Sequence, residues 1–404
     1  MTLIECFDKT VLENIAGTLY LNPDKVIFLG EAEKMQGVQK RFQDFLDARG
    51  MNVQVVMQDI QNMNINALTK LLLKLVSAEP DCVIDVTGGD ERVLVAVGMM
   101  LGQVEGEKPT VQKFDLATDH PMDCDGDGMI IPPDPVRLTV KELVALHGGI
   151  VHPDSYQPSQ SATALDIAGF WKFVAEDPYM WNDLQTILGQ FEKRSEDKYE
   201  VTIPKAKVKS EIKDYRSKEK VFQNLLNILE TRGMIRDFSD EKCYRYRYNS
   251  GLFRQCTKKA GNALELKVLL EARAQKAADQ PYFHDCMMGV HIDWDGIVHV
   301  RNETPDTRNE IDLILTRGLS SLFVSCKNGT VEEEELYKLH TVAQQFGGPY
   351  AKKLLIATDL SFQNERSERA FHQRARDMQI HIEPDAGSLT SHGWRKLFLD
   401  LMEE

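Results

Sequence analysis

The first 150 residues alternate between short apolar runs and amphipathic segments, and this alternation constrains the fold more than any other feature. Five runs read as strands: TLIECF, KVIFLG, NVQVVMQ, DCVIDVTGG and TVQKFDLA. The first four are each followed by a segment with helical spacing of its apolar residues. Because parallel neighbours need a crossover connection, this order predicts a parallel sheet with right-handed crossovers. We therefore expect an α/β, Rossmann-like domain over residues 1–150.

A second α/β unit is predicted over residues 256–404. A helix, NALELKVLLEARAQ, precedes a hairpin in which MGVHIDWDG and IVHV flank Asp295-Gly296. Two apolar strands follow in NEIDLILTRGLSSLFVSCKNG, with Arg317-Gly318 as the turn between them. The helix VEEEELYKLHTVAQQFG and the strand KKLLIATD come next.

Residues 151–255 differ in character and predict a helical, winged-helix-like segment. Two helices are interrupted near Pro178, and the amphipathic helix KVFQNLLNILETRGMI ends at Gly233. The run YRYRY then has the alternation of a wing strand. It permits two interpretations: tyrosines that stack on single-stranded nucleic acid, or tyrosines packed inward with arginines outward.

Composition limits the classes of function. A chain of 404 residues favours two or three domains, and a net charge of −14 requires any nucleic-acid site to be a local basic surface. Residues 201–260 offer one, with 15 Lys and Arg against 7 Asp and Glu. Seven cysteines without a CxxC pair predict reduced thiols and a cytoplasmic protein. No apolar run reaches ~18 residues, so we expect no membrane span.

Acidic and basic residues lie at the ends of the two strands around Arg317-Gly318. Glu310 and Asp312 share one face of the first strand, and Ser325 and Lys327 share one face of the second. If the strands pair, both sets converge, and Glu265 on the preceding helix can join them.

Carboxylate oxygens of this kind suit Mg²⁺ or Mn²⁺, and a lysine beside the metal offsets charge on a phosphate. Cys326 points away, although its backbone carbonyl could reach the metal. The alternative is that Glu310 and Asp312 cap a strand and form surface ion pairs with Arg308 or Lys327.

A ligand site is predicted at the carboxyl ends of the N-terminal strands, where open parallel sheets bind ligands. Thr87-Gly88-Gly89 ends a strand and opens a helix, so its backbone N–H groups are available to an anion. The pattern is not GxGxxG, which disfavours a dinucleotide. A plain tight turn would use the same two glycines.

Two resemblances extend these predictions. The order helix with Glu265, hairpin, strand with Asp312, strand with Lys327 resembles the PD-(D/E)xK nuclease superfamily, except that Ser325 stands where that family usually has an acid. With DVTGG, LTVKELVALHGG and the winged-helix-like segment, the chain also resembles the CARF-domain nucleases of type III CRISPR defence.

The second resemblance implies a homodimer that binds cyclic oligoadenylate, usually cyclic tetra-adenylate, and so activates a metal-dependent nuclease acting on RNA and single-stranded DNA. It implies that these residues lie nearest the activator: Asp8, Lys9, Gly30, Thr87, Gly88, Gly89 and Glu91. It implies a nuclease site of Glu265, Glu310, Asp312, Ser325 and Lys327. The metal ligands within or beside this site would be Asp312, Glu310, Glu265 and Cys326. The alternative is a ligand-controlled DNA-binding regulator with an inert C-terminal domain, which Ser325 favours.

Overall fold

The structure is a computed structural model that describes residues 1–116, 120–124, 136–153, 156–296, 308–362 and 364–403. The run IVHV, expected as the second strand of a hairpin, occupies residues 297–300 and lies outside the described residues. No described helix is long and apolar enough to cross a membrane.

The N-terminal part contains a six-stranded sheet in the order β3-β2-β1-β4-β5-β6. Its strands are β1 Thr2–Cys6, β2 Lys25–Gly30, β3 Gln54–Asp59, β4 Cys82–Asp85, β5 Thr110–Asp115 and β6 His120–Asp123. Its helices are α1 Val11–Leu21, α2 Ala32–Met35, α3 Val38–Ala48, α4 Ile65–Ala78 and α5 Glu91–Leu101. Strands β1 to β5 are parallel, as predicted, whereas β6 runs antiparallel to β5.

Two details of this part differ from the sequence prediction. The single helix expected after β2 is split into α2 and α3, because Gly37 takes a φ of 78° at the junction. Strand β6 has the sequence HPMD. It was not predicted, because proline within a short run argues against a strand. The central strand β1 is buried along its whole length, since helices cover both faces of the sheet.

The middle part begins with α6 Val140–Leu146 and the short strand β7 Ile150–Val151. A 3₁₀ turn over Ala164–Ile167 follows, and then the remaining elements: α7 Ala168–Glu176, α8 Pro178–Glu192, β8 Glu200–Pro204, α9 Lys205–Glu211, α10 Tyr215–Thr231, β9 Ile235–Ser239, β10 Cys243–Tyr248 and α11 Gly251–Lys258. Strands β8, β10 and β9 form an antiparallel sheet in that order.

The tyrosines of the YRYRY run face the core of this middle part. Tyr244, Tyr246 and Tyr248 are buried, and the hydroxyls of Tyr246 and Tyr248 each donate to Glu192 Oε1 over 2.6 Å. The intervening Arg245 is exposed. The interpretation in which these tyrosines stack on single-stranded nucleic acid is therefore wrong, because their rings are enclosed.

The C-terminal part contains a second six-stranded sheet, in the order β17-β16-β15-β14-β13-β7. Its elements are α12 Asn262–Ala274, β11 Lys276–Ala277, β12 Gln280–Pro281, β13 Asp285–Asp293, β14 Arg308–Arg317, β15 Ser320–Lys327, α13 Glu333–Gly347, β16 Lys352–Ala357, α14 Glu365–Asp377, β17 Ile380–Glu383 and α15 Ser391–Glu403. Strands β11 and β12 form a separate small hairpin.

The predicted pairing around Arg317-Gly318 is confirmed. Strands β14 and β15 are antiparallel, Arg317 lies opposite Ser320, and Gly318 has a φ of 60° in the turn. Strand β16 runs parallel to β15. The proposed division at residue 150 stays a prediction, and β7 pairs with β13 of the second sheet.

Candidate functional site

The β14–β15 hairpin brings Asp312 and Ser325 together at one end of the second sheet. The Asp312 Oδ2 atom accepts a hydrogen bond from the backbone N–H of Cys326 over 2.6 Å and lies 3.4 Å from Ser325 Oγ. Burial raises the pKa of Asp312, while Lys327 and the Cys326 N–H act in the opposite direction. The Cys326 side chain is buried, and burial and the Asp312 carboxylate raise the pKa of its thiol.

Glu265 approaches the same place from the first turn of α12. Its side chain is buried. Burial, followed by the negative charge of Asp312, raises the pKa of Glu265 to about 8, and Lys259 opposes the shift. Two carboxyl groups that repel each other in this way cannot both ionise readily unless a cation lies between them.

Lys327 reaches the site from the end of β15 and is held by α13. Its Nζ lies 2.7 Å from Glu335 Oε2, and the other oxygen of Glu335 binds Lys338 over 2.8 Å. Burial acts to raise the pKa of Glu335, but the two lysines outweigh it and lower the pKa below its ordinary value. Glu335 was not identified from sequence, because it lies within the run EEEE and nothing there distinguishes one glutamate.

Glu310 faces Lys259, at the junction of α11 and α12. The Lys259 Nζ lies 2.7 Å from Glu310 Oε1, and both side chains are exposed. The alternative in which Glu310 pairs with Lys327 is thus wrong. Lys259 carries no sequence signal of its own beyond its nearness to Glu265 along the chain.

The donor set fits a hard divalent cation in its chemistry. Asp312 and Glu265 supply carboxylate oxygens, and the two carboxyl groups are close enough for the charge of Asp312 to raise the pKa of Glu265. Within the described part of the chain, no group of three or more His, Cys, Asp or Glu side chains is arranged to hold a metal ion. A cation here would therefore need further oxygens, from water, from phosphate or from backbone.

At the edge of the first sheet, the Gly88-Gly89 turn packs closely on the end of β1. A Cβ on Gly88 would lie 2.6 Å from Asp8 Cβ, and one on Gly89 would lie 2.6 Å from Cys6 Cβ. Both glycines are therefore required by packing alone, and they do not by themselves indicate a ligand. Thr87 is likewise engaged, since its N–H donates to Asp85 and its hydroxyl accepts from Phe114 N over 2.7 Å.

The Asp8 carboxylate occupies the position that was expected to attract an anion. It accepts from Thr10 N over 2.9 Å and lies 3.4 Å from Gly89 N. Partial burial acts to raise the pKa of Asp8, but these hydrogen bonds lower it. This point of the edge suits a hydrogen-bond donor, such as a ribose hydroxyl, better than a phosphate.

Cations line a cavity of about 300 Å³ next to Asp8. Lys9, Lys34 and Arg41 contribute to its wall, together with Phe7. Lys34 and Arg41 come from α2 and α3 and were missed from sequence, because only the fold brings them beside Lys9. Of the other predicted residues, Gly30 ends β2 in close contact with Phe7, and Glu91 begins α5.

Together these features are a largely parallel α/β sheet with cationic side chains near the ends of its strands, a helical middle part with a three-stranded antiparallel sheet, and a mixed sheet in which two carboxyl groups lie near a lysine. No protein-family model and no curated protein matches the chain. Among solved structures, protein VC1899 from Vibrio cholerae is similar, with a TM-score of 0.71, 13% identity, and coverage of 100% of this chain and 97% of that one.

Can2 from Sulfobacillus thermosulfidooxidans, solved in complex with cyclic tetra-adenylate, is also similar. Its TM-score is 0.65 at 15% identity, with coverage of 100% of this chain and 97% of Can2. At these identities the comparison establishes a shared fold over the whole chain.

Proposed function

We propose that this protein is a metal-dependent nuclease of CRISPR defence, activated by a cyclic oligoadenylate. The observation that carries the proposal is the buried pair Glu265 and Asp312 beside Lys327, which needs a cation and is placed to act on a phosphate. The element order from α12 to α13 and the fold shared with Can2 support it. The seven free cysteines favour the cytoplasm as its location.

Asp312 and Glu265 would hold the Mn²⁺ or Mg²⁺, with Glu310 and the Cys326 carbonyl as further candidate ligands. A bound divalent ion supplies a water of lowered pKa and neutralises charge on the scissile phosphate. Ser325 leaves the site one carboxylate short of the usual pattern.

Lys327 would supply the fixed positive charge toward the phosphate. Glu335 orients the ammonium through its 2.7 Å contact. Lys259 adds a second, exposed cation on the side of Glu310, where a nucleic-acid backbone would enter.

At the other end of the molecule, the ligand edge offers separate partners for the parts of a cyclic oligoadenylate. Lys9, Lys34 and Arg41 suit its phosphates, and the Asp8 carboxylate suits a ribose hydroxyl or an adenine amino group. The proposed activator is cyclic tetra-adenylate, the ligand in the Can2 structure.

The surface of α5, which follows the Gly88-Gly89 turn, supports a homodimer. Leu94, Val95 and Met99 are 37%, 51% and 40% exposed and lie on one side of the helix with Gly98. Such an apolar face beside a ligand edge fits a second copy across a two-fold axis, which matches the two-fold symmetry of a four-unit ring.

The test is cleavage of labelled single-stranded RNA and single-stranded DNA with Mn²⁺, in the presence and absence of cyclic tetra-adenylate. We expect cleavage only when both the ring and the metal are present. The competing function is a ligand-controlled DNA-binding regulator, favoured by Ser325 and by the basic surface around α9 and α10. Tight duplex binding without cleavage of either substrate would establish the regulator and refute the nuclease.

A further inference from the structure

A cavity of about 630 Å³ lies at the opposite end of the second sheet from Asp312. The strand pairing separates the cavity from the acid–lysine site. Lys327 pairs with the last residue of β16, whereas the first two residues of β16, Lys352 and Lys353, line the cavity. Leu116, just after β5 of the first sheet, forms part of its wall. It is therefore separate from the acid–lysine site.

Lys353 is an unusual residue to find in such a wall. Its side chain is only 4% exposed, and burial together with the charge of Lys352 lowers its pKa. Among the described residues, no carboxylate forms an ion pair with it and none raises its pKa. A lysine whose side chain is mostly buried and has no anionic partner is costly, and natural proteins rarely keep one.

The remaining lining adds positive charge and apolar surface. Arg376 and His381 stand at the rim near Lys352, while Glu403 is the one carboxylate among the described lining residues. Ile380 and Met402 provide an apolar wall. The volume lies within the ~300–1,000 Å³ typical of small-molecule sites.

We propose that this cavity binds a small phosphate-bearing molecule of the nucleotide class. The phosphate would lie against Lys353, with Lys352 and Arg376 as additional donors, since charge-assisted hydrogen bonds to phosphate are strong. The base would lie on the apolar wall. This proposal does not depend on the proposed nuclease activity, and it concerns a different cavity from the one beside Lys9.

The test is calorimetric titration of the full chain with pyrophosphate and with ATP, in EDTA so that no metal bridges the ligand to other sites. We expect Lys353→Met to weaken both ligands at least about 10-fold, the effect of losing one charge-assisted contact. Lys172→Met, on the exposed face of α7, is the matched control. Lys9→Met tests whether binding occurs at the other cavity instead, and the binding that depends on Lys353 should persist in it, whereas Lys172→Met should bind like the parent.

Arg376→Gln provides a second, exposed change that should weaken binding without disturbing the core. Failure of the parent to bind either probe would overturn the proposal. So would parental affinity in both Lys353→Met and Arg376→Gln, or a loss of the Lys353-dependent binding in Lys9→Met. Tighter binding of ATP than of pyrophosphate supports a nucleotide, and equal binding supports the phosphate contacts alone.

Discussion

Tyr350 donates its hydroxyl to Glu13 over 2.6 Å and so joins the second sheet region to the first helix of the chain. Glu13 lies directly against the Gly88 turn, where a Cβ would come within 3.1 Å of its Oε2. Burial and the Glu13 carboxylate raise the pKa of Tyr350 to about 12. Tyr350 follows α13, whose first turn carries Glu335, so this one helix lies between the Gly88-Gly89 turn and Lys327.

We predict that Tyr350→Phe uncouples activation from ligand binding. The variant should bind cyclic tetra-adenylate with nearly parental affinity, but activate cleavage several-fold less, a typical size for a coupling energy of ~1–3 kcal/mol. Its free energy of unfolding should also be about 1 kcal/mol lower, because the hydrogen bond to Glu13 is lost. Tyr179→Phe, which removes a similar contact to Ser361, is the control and should activate normally. Full activation in Tyr350→Phe would contradict the proposed coupling.

Asp312→Asn should lower the cleavage rate at least ~100-fold while leaving the activator site intact. A readout independent of activity is available, because Mn²⁺ should raise the melting temperature of the parent but not of this variant. The control is Asp385→Asn, an exposed residue beyond β17. Equal stabilisation of parent and Asp312→Asn by Mn²⁺ would mean that the metal binds elsewhere.

Glu335→Gln tests whether α13 orients Lys327. The ion pair of 2.7 Å would be lost, and we expect kcat to fall about 10-fold with little change in KM, because the substrate surface is unaltered. Glu335→Asp should restore part of the rate. Lys338→Met removes only the exposed partner of Glu335 and should behave like the parent. A change confined to KM would assign Glu335 to substrate binding instead.

Gly98→Arg tests the apolar face of α5. A Cβ at Gly98 would have no atom of the described residues within 4 Å, so the variant should fold and only an interface on this face should be disrupted. We expect the parent to be a dimer by light scattering, and the variant to be a monomer with weakened binding of cyclic tetra-adenylate. Gly169→Arg, another helical glycine facing open space, is the matched control. A dimeric Gly98→Arg would place the interface on another surface.

Glu5 provides a prediction about stability and pH. It is buried in β1, neither oxygen has a hydrogen-bond partner among the described residues, and burial together with Asp85 raises its pKa well above 4.5. The folded state therefore holds a proton that the unfolded chain releases above about pH 4.5. The contribution of Glu5 to the free energy of unfolding should be fully present below that pH. It should decrease as the pH rises toward the folded pKa, by up to ~1.4 kcal/mol per pH unit.

Glu5→Gln removes this titration. Urea unfolding from pH 5 to 8 should give a slope against pH that is shallower than in the parent by up to ~1.4 kcal/mol per unit. Asp24→Asn, at an exposed carboxylate whose pKa is lowered by the N-terminal ammonium, should leave the parental slope in this range unchanged. Parallel slopes for the parent and Glu5→Gln would show that Glu5 ionises freely in the fold.

Several parts of the structure were predictable from sequence because they depend on local pattern. Alternating strands and helices specify the five parallel strands of the first sheet, since each crossover is short and of one hand. A tight turn at Gly318 sets the β14–β15 register, and strand alternation then places Asp312 near Ser325. The YRYRY run likewise had to place tyrosine and arginine on opposite faces.

Tertiary packing decided everything that joins distant segments. Alternation in YRYRY does not tell which face is buried. The tyrosine face is buried because it packs on α8 and α10, where Glu192 and Glu219 accept hydrogen bonds from its hydroxyls. The partners of Lys327 and Glu310, the link from Tyr350 to Glu13 and the buried Lys353 carry no local signal. These contacts form when whole sheets and helices pack together. The spacing of residues along the chain does not indicate which surfaces will meet.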